Sequence, residues 1–231
     1  MPVHAAASAA FGAAACLAAW AAVSLAVGRL LGPVMPGAGL AGPLVGSVLV
    51  VVATHPFRAR LCGPRRPHRP WALVYDGWPS LALVALLAGC AMVTGAPDAG
   101  PAVAHAALAA LAEEMVFRLA MTSVLSPMGP GAACVGSSAA FAAAHAMGAA
   151  PALVPIRVCE ALAFGLFLST EVWLGGTTAA AVVYHLAFDL ALGLAAGAPL
   201  PPWALLLAWG GVTAQLGAVA ACRLAELRGA G

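Results

Sequence analysis

Eight ionisable side chains interrupt the apolar stretches of this chain: Glu113, Glu114, Arg118, His145, Arg157, Glu160, His185 and Asp189. Three of them fall in Leu111-Ala-Glu-Glu-Met-Val-Phe-Arg118. Successive residues of a helix advance by about 100°. Glu114 and Arg118 then share a face and can pair, while Glu113 turns away and lacks that partner. A carboxylate whose proton affinity is tuned by a dry setting is suited to take a proton from water. The structural alternative is a plain Glu–Arg bridge with Glu113 reaching toward the interface.

Two further patterns carry imidazoles: Phe141-Ala-Ala-Ala-His145 and His185-Leu-Ala-Phe-Asp189. His185 and Asp189, four apart, stand on one helical face. There the Asp can fix the imidazole tautomer, or both can hold a common water or metal. A lone His145 is as readily a hydrogen-bonded neighbour of another helix. Together the three patterns put acids and imidazoles on three separate helices. Convergence on one site is the cheapest way to satisfy them all in an apolar medium. Arg157 and Glu160, three apart, can pair and read as structural, with substrate contact by Arg157 the lesser alternative.

The elements that must position these residues follow from composition. Of 231 residues, 63% are hydrophobic and 8% charged, with a mean hydropathy of +0.99. A soluble domain carries about 25% charged residues, so a water-soluble globule is excluded and a bilayer is the expected solvent. Every basic residue is Arg, which we read as composition bias, and the net charge of +2 says little by itself. The cysteines (Cys16, Cys62, Cys90, Cys134, Cys159 and Cys222) form no CxxC pair, so neither a zinc knuckle nor a redox motif is expected. Ala5 to Val27 lacks a basic leader and exceeds a signal-peptide core in length, so a first membrane helix is expected there.

About 20 apolar residues cross a bilayer as helix. By that measure eight spans are expected, at 5–27, 40–55, 78–96, 101–125, 130–150, 152–170, 172–197 and 201–222. The expected fold is all-α: a polytopic transmembrane helix bundle, residues 1–231 forming one integral membrane domain and 101–197 holding the motif-bearing helices. Proline and glycine mark the breaks. No linker, second domain or internal repeat is visible. The loop His55 to Pro70 holds Arg58, Arg60, Arg65, Arg66 and Arg69. Short arginine-rich loops stay cytoplasmic, and with eight spans both termini then lie on that side, Arg223 and Arg228 included. Topology explains this loop without nucleic-acid binding. The expected setting is a bacterial cytoplasmic membrane.

Taken in order, Glu113-Glu114-x-x-x-Arg118, Phe141-x-x-x-His145 and His185-x-x-x-Asp189 resemble the signature of the CAAX protease and bacteriocin-processing (CPBP) membrane proteins, also called the Abi family. The stretch from Ala163-Phe-Gly-Leu-Phe-Leu through Gly175-Gly-Thr-Thr to His185 is similar to the family's approach to its last motif. The resemblance covers about residues 105–197. It implies a type II CAAX-protease-like core and an intramembrane endopeptidase of the glutamate type. In that reading Glu113 with His145 activates the attacking water, His185 and Asp189 stabilise the oxyanion, Glu114 and Arg118 form a supporting ion pair, and Phe141 is a further supporting residue. Where members commonly carry Asn this chain has Asp189. We therefore expect His185 to be the oxyanion donor and Asp189 to orient it. No cofactor is expected. The alternative is zinc on Glu113, His145, His185 and Asp189, a plausible donor set, although the His-Glu-x-x-His motif is absent.

Other functions fit parts of the pattern. Gly136-Ser137-Ser138-Ala139 resembles the serine element of a rhomboid-like protease, but that reading leaves Glu113, Glu114 and Arg118 unused. A membrane transporter or carrier, or a non-catalytic scaffold, could use the same polar cluster, although no inverted repeat is visible. The expected partners are membrane lipid and a membrane-anchored substrate, either a leader peptide or a C-terminal anchor segment, and not nucleic acid. Oligomeric state has no sequence signal.

Overall fold

The structure, a computed structural model, describes residues 3–31, 41–58, 72–93, 100–147, 149–175, 177–196 and 201–229. All regular structure among them is helical. The segments are α1 (Val3–Leu31), α2 (Ala41–Arg58), α3 (Ala72–Val93), α4 (Gly100–Glu114 and its continuation), α5 (Pro130–Met147), α6 (Val154–Trp173), α7 (Thr178–Ala196) and α8 (Pro202–Gly229). Each expected span has a helix at its place. The boundaries differ most at the end of α8, seven residues beyond the expected 222, while α3 begins six residues before the expected 78 and carries Pro79 inside it. Membrane helices accommodate such a proline because neighbours re-satisfy the freed backbone groups. At the α6–α7 junction Gly175 has φ 127°, a conformation only glycine adopts cheaply, so α7 starts later than expected. The basic loop after Arg58 lies outside the described residues.

Helix α4 departs from the regular helix expected over 101–125. It passes from α-helix at Glu114 into a π-helical stretch, Met115–Met121, and returns to α-helix at Thr122–Leu125. Such widened turns are rare and concentrate at functional sites. Here Val116, Phe117 and Arg118 are all buried.

By length and composition, Ala6–Val27 and Pro151–Trp173 can each cross a membrane, and Gly42–Thr54 and Thr178–Gly193 are apolar but shorter. Large apolar side chains such as Phe11, Leu30, Trp78, Val183 and Leu207 face outward, as a lipid-facing surface requires. The core beneath them includes Phe117, Met121, Phe141, Phe167, Leu168 and Leu216.

Small residues bring the helices close. A Cβ on Gly42 would collide with the Ser24 carbonyl of α1, so α1 and α2 approach only because that position is glycine. In the same region Trp20 donates to Ser47 Oγ at 3.1 Å, and Ser47 donates to the Ala112 carbonyl at 2.8 Å. Helix α2 is thereby tied to α4 at the residue next to Glu113.

A second polar cluster joins α3, α6 and α8. Arg223 Nε donates to Asp76 Oδ2 at 3.1 Å and to Glu171 Oε1 at 3.0 Å, and a terminal nitrogen donates to Glu226 at 2.6 Å. Gln215 adds a donation to the Asp76 carbonyl at 2.7 Å. The sequence reading gave Arg223 a topological role only. In the fold it also clamps three helices.

Candidate active site

Three helices converge at one point. Helix α4 contributes Glu113, Glu114 and Arg118, α5 contributes Phe141 and His145, and α7 contributes His185 and Asp189. Glu114 and Arg118 are fully buried, and Arg118 is the largest such side chain among the described residues. Glu114 Oε2 lies 3.2 Å from Arg118 Nε. The guanidinium nitrogens meet no hydrogen-bond acceptor among the described residues, but the cation sits 4.9 Å above the centre of the Phe141 ring. Attraction to that π face eases the burial of the charge. A cavity of ≈160 Å³, lined by Arg118, Thr122, Ser169 and Thr178 among others, lies beside it, with ample room for hydrating water.

The other oxygen of Glu114, Oε1, is 3.0 Å from His185 Nδ1. A carboxylate only accepts, so Nδ1 carries the proton and Nε2 points the other way. On α5, His145 Nδ1 lies 3.0 Å from the Phe141 carbonyl. That oxygen also only accepts, so His145 likewise turns Nε2 outward. Both free nitrogens meet one carboxylate oxygen: Glu113 Oε2 is 3.7 Å from His185 Nε2 and 3.9 Å from His145 Nε2. Those distances exceed a direct hydrogen bond and suit a bridging water. Asp189 Oδ2 lies 3.5 Å from the same His185 Nε2.

The expectation that Asp189 orients His185 gives way here. Glu114 holds Nδ1, and Asp189 instead faces the reactive edge of the ring. Glu114 therefore has two partners, where the sequence reading gave it Arg118 alone.

Phe141 is the packing centre of the site. Its ring is 4.3 Å from that of His145, 5.9 Å from that of His185 and 5.2 Å from that of Phe117, centre to centre. Phe164 of α6 stands edge-on to His185 at 4.9 Å. A pocket with a cavity of ≈60 Å³ opens onto this cluster, walled by His145, His185, Asp189 and the rings of Phe141, Phe164 and Phe188. That exceeds the roughly 10–15 Å³ one water needs. Arg157 and Glu160, paired at 3.3 Å, line the same pocket. The wall supplied by α6 was not legible beforehand: Ala161 and Phe164 carry no charge, and their role depends on which way α6 faces.

The serines of Gly136-Ser137-Ser138-Ala139 point elsewhere. Ser137 donates to the Phe117 carbonyl and Ser138 to the Cys134 carbonyl, both buried. Neither bonds to His185. Among the described residues no group of three or more His, Cys, Asp or Glu side chains is arranged to hold a metal ion.

Residues 95–191 match the family model described as type II CAAX prenyl endopeptidase Rce1-like. No curated protein and no solved structure matches the chain.

Proposed function

From the premise that residues 95–191 belong to the Rce1-like type II CAAX prenyl endopeptidases, an integral membrane family, we propose that this chain hydrolyses a peptide bond with a water activated by Glu113. The observation that carries the reading is the convergence of two imidazole Nε2 atoms on one oxygen of Glu113, at 3.7 and 3.9 Å. A water held there reaches all three groups. Glu113 accepts its proton as the oxygen attacks the carbonyl carbon, and His145 holds the water in line. The oxyanion that forms takes a hydrogen bond from His185 Nε2 in its imidazolium form. When the intermediate collapses, the amine leaves with the proton that Glu113 received. Glu114 holds the His185 ring in the orientation this requires. No metal takes part.

The substrate is an apolar membrane-anchored segment, a leader peptide or a C-terminal anchor, packed against Phe164 and Phe188. The chain lies in a bacterial cytoplasmic membrane with both termini on the cytoplasmic side.

Purified protein in proteoliposomes, given an anchor-segment peptide, tests this. Glu113→Gln lowers cleavage by about 10²–10⁴-fold, the usual contribution of a positioned base, with the thermal unfolding midpoint unchanged. Ser138→Ala keeps full cleavage, and so does addition of a chelator. Equal cleavage by wild type and Glu113→Gln ends the proposal. Solute transport without cleavage would favour a carrier.

A further inference from the structure

The cavity of ≈160 Å³ beside Arg118 is a separate space from the catalytic pocket, and no residue lines both. Its inner wall is buried: Arg118, Thr122 and Ser169. Its outer wall is half-buried: Val172, Trp173 and Thr178, which flank the turn at Gly175 between α6 and α7. The cavity therefore opens at that turn and ends on the guanidinium. It offers roughly ten times the 10–15 Å³ that one water needs.

Among the described residues this wall carries a cation and no carboxylate. Glu114 meets Arg118 Nε at 3.2 Å but does not line the cavity, and its other oxygen serves His185 Nδ1 at 3.0 Å. Its charge is thus divided between two partners. The Phe141 ring covers one face of the guanidinium and leaves the in-plane N–H groups untouched. Both terminal nitrogens are buried and meet no acceptor among the described residues. Buried charged donors left unmade are costly, so an acceptor belongs in the space beside them. The wall adds two more donors. Ser138 gives its proton to the Cys134 carbonyl at 2.7 Å, so Ser169, 3.4 Å from Ser138, keeps its own for Ser138 or for the cavity. Thr178 is the first residue of α7, a helix of 19 residues whose Ala180 N–H is capped by Thr177 at 3.0 Å. The positive end of that helix therefore adjoins the cavity. Thr122 spends its proton on the Arg118 carbonyl and adds no donor.

We propose that this cavity is a binding site for one small, singly charged anion, held against Arg118 with the hydroxyls of Ser169 and Thr178 as further donors. Water alone would meet the N–H groups but would leave the cation only partly compensated beside a positive helix end. The chemistry is that of a halide or a phosphodiester oxygen, so the anion is a free ion or a lipid headgroup reaching in at the α6–α7 turn. Once bound, it ties α4, α6 and α7 together at one point. The site stands apart from the hydrolytic reading, because none of its residues lines the catalytic pocket.

Thermal unfolding of the purified full chain tests the site. In a neutral detergent, chloride replaces gluconate at constant ionic strength. The wild-type midpoint should rise by about 2–4 °C once chloride is several-fold above its dissociation constant. Ser169→Leu fills the cavity and should lose the whole gain. Thr178→Val removes one donor without adding bulk and should lose part of it; where Ser169→Leu fails to fold, Thr178→Val carries the comparison. In chloride-free nanodiscs, phosphatidylglycerol then replaces phosphatidylcholine. A gain from chloride assigns a free ion. A gain from phosphatidylglycerol that Thr178→Val reduces, with none from chloride, assigns a lipid headgroup. No gain in either arm means hydrating water only and overturns the proposal, as does a gain of the same size in Thr178→Val. The midpoint requires no cleavage. A catalytically silent protein that shows the gain refutes the protease alone, and an active one that shows neither gain refutes the anion site alone.

Discussion

Glu114 accepts a hydrogen bond from His185 Nδ1 at 3.0 Å while its second oxygen faces Arg118 at 3.2 Å. One buried carboxylate thus neutralises a cation on its own helix and sets the tautomer of an imidazole on another. Glu113, its neighbour in sequence, instead faces the Nε2 atoms of His145 and His185.

Glu114→Gln separates these roles. The amide keeps the shape but loses the charge opposite Arg118 and can present its NH2 to His185. We expect cleavage to fall by about 10²-fold or more, the penalty of a misplaced catalytic group, with a lower unfolding midpoint than Glu113→Gln. Peptide cleavage and thermal unfolding, measured on both variants, check the contrast.

Arg118→Ala removes a side chain that is fully buried and leaves Glu114 with the His185 ring as its remaining partner. Breaking a buried pair in this way costs about 3–5 kcal/mol. The variant should unfold well below wild type in detergent. An unchanged midpoint would mean that the pair is not buried as described.

Asp189→Asn tests the residue that faces His185 Nε2 at 3.5 Å. Asn can donate a hydrogen bond to an oxyanion, which an ionised Asp cannot. Cleavage should stay within about tenfold of wild type, under 1.4 kcal/mol in the barrier, whereas Asp189→Leu should fall far lower. Steady-state kcat/KM for the two variants decides it.

Gly77→Ala acts at a distance. Tyr184 donates to the Gly77 carbonyl at 3.0 Å, and a Cβ on Gly77 would run into the Tyr184 ring. Tyr184 precedes His185, so the collision shifts the helix that carries His185 and Asp189. A displacement of about 1 Å costs on the order of 10²-fold in rate. Tyr184→Phe, which keeps the ring and loses one hydrogen bond of about 1 kcal/mol, should be nearly active. Cleavage by the two variants separates displacement from bond loss.

Arg223→Ala dismantles the clamp and leaves Glu171, 1% exposed, as a buried unpaired carboxylate. The cost is again about 3–5 kcal/mol, read as a lower unfolding midpoint. Below that midpoint cleavage should persist, because the clamp lies at the opposite end of α6 from the pocket.

Sequence alone determined the helical class and singled out the ionisable residues that the fold brings together. In an apolar chain each buried charge is costly, so the few present had to be partnered, and their order along the chain matched one family. The helix positions followed from proline, glycine and apolar run length. Partner assignment was decided by the tertiary structure. A spacing of four pairs Glu114 with Arg118, but no spacing relates residue 114 to residue 185; only the packing of α4 against α7 brings them to 3.0 Å. The π-helical turn in α4 was equally hidden, because it is favoured by burial of Phe117 and Arg118 against other helices and not by local propensity. The same holds for Phe164 and the Arg223 clamp, whose roles depend on which face each helix turns inward.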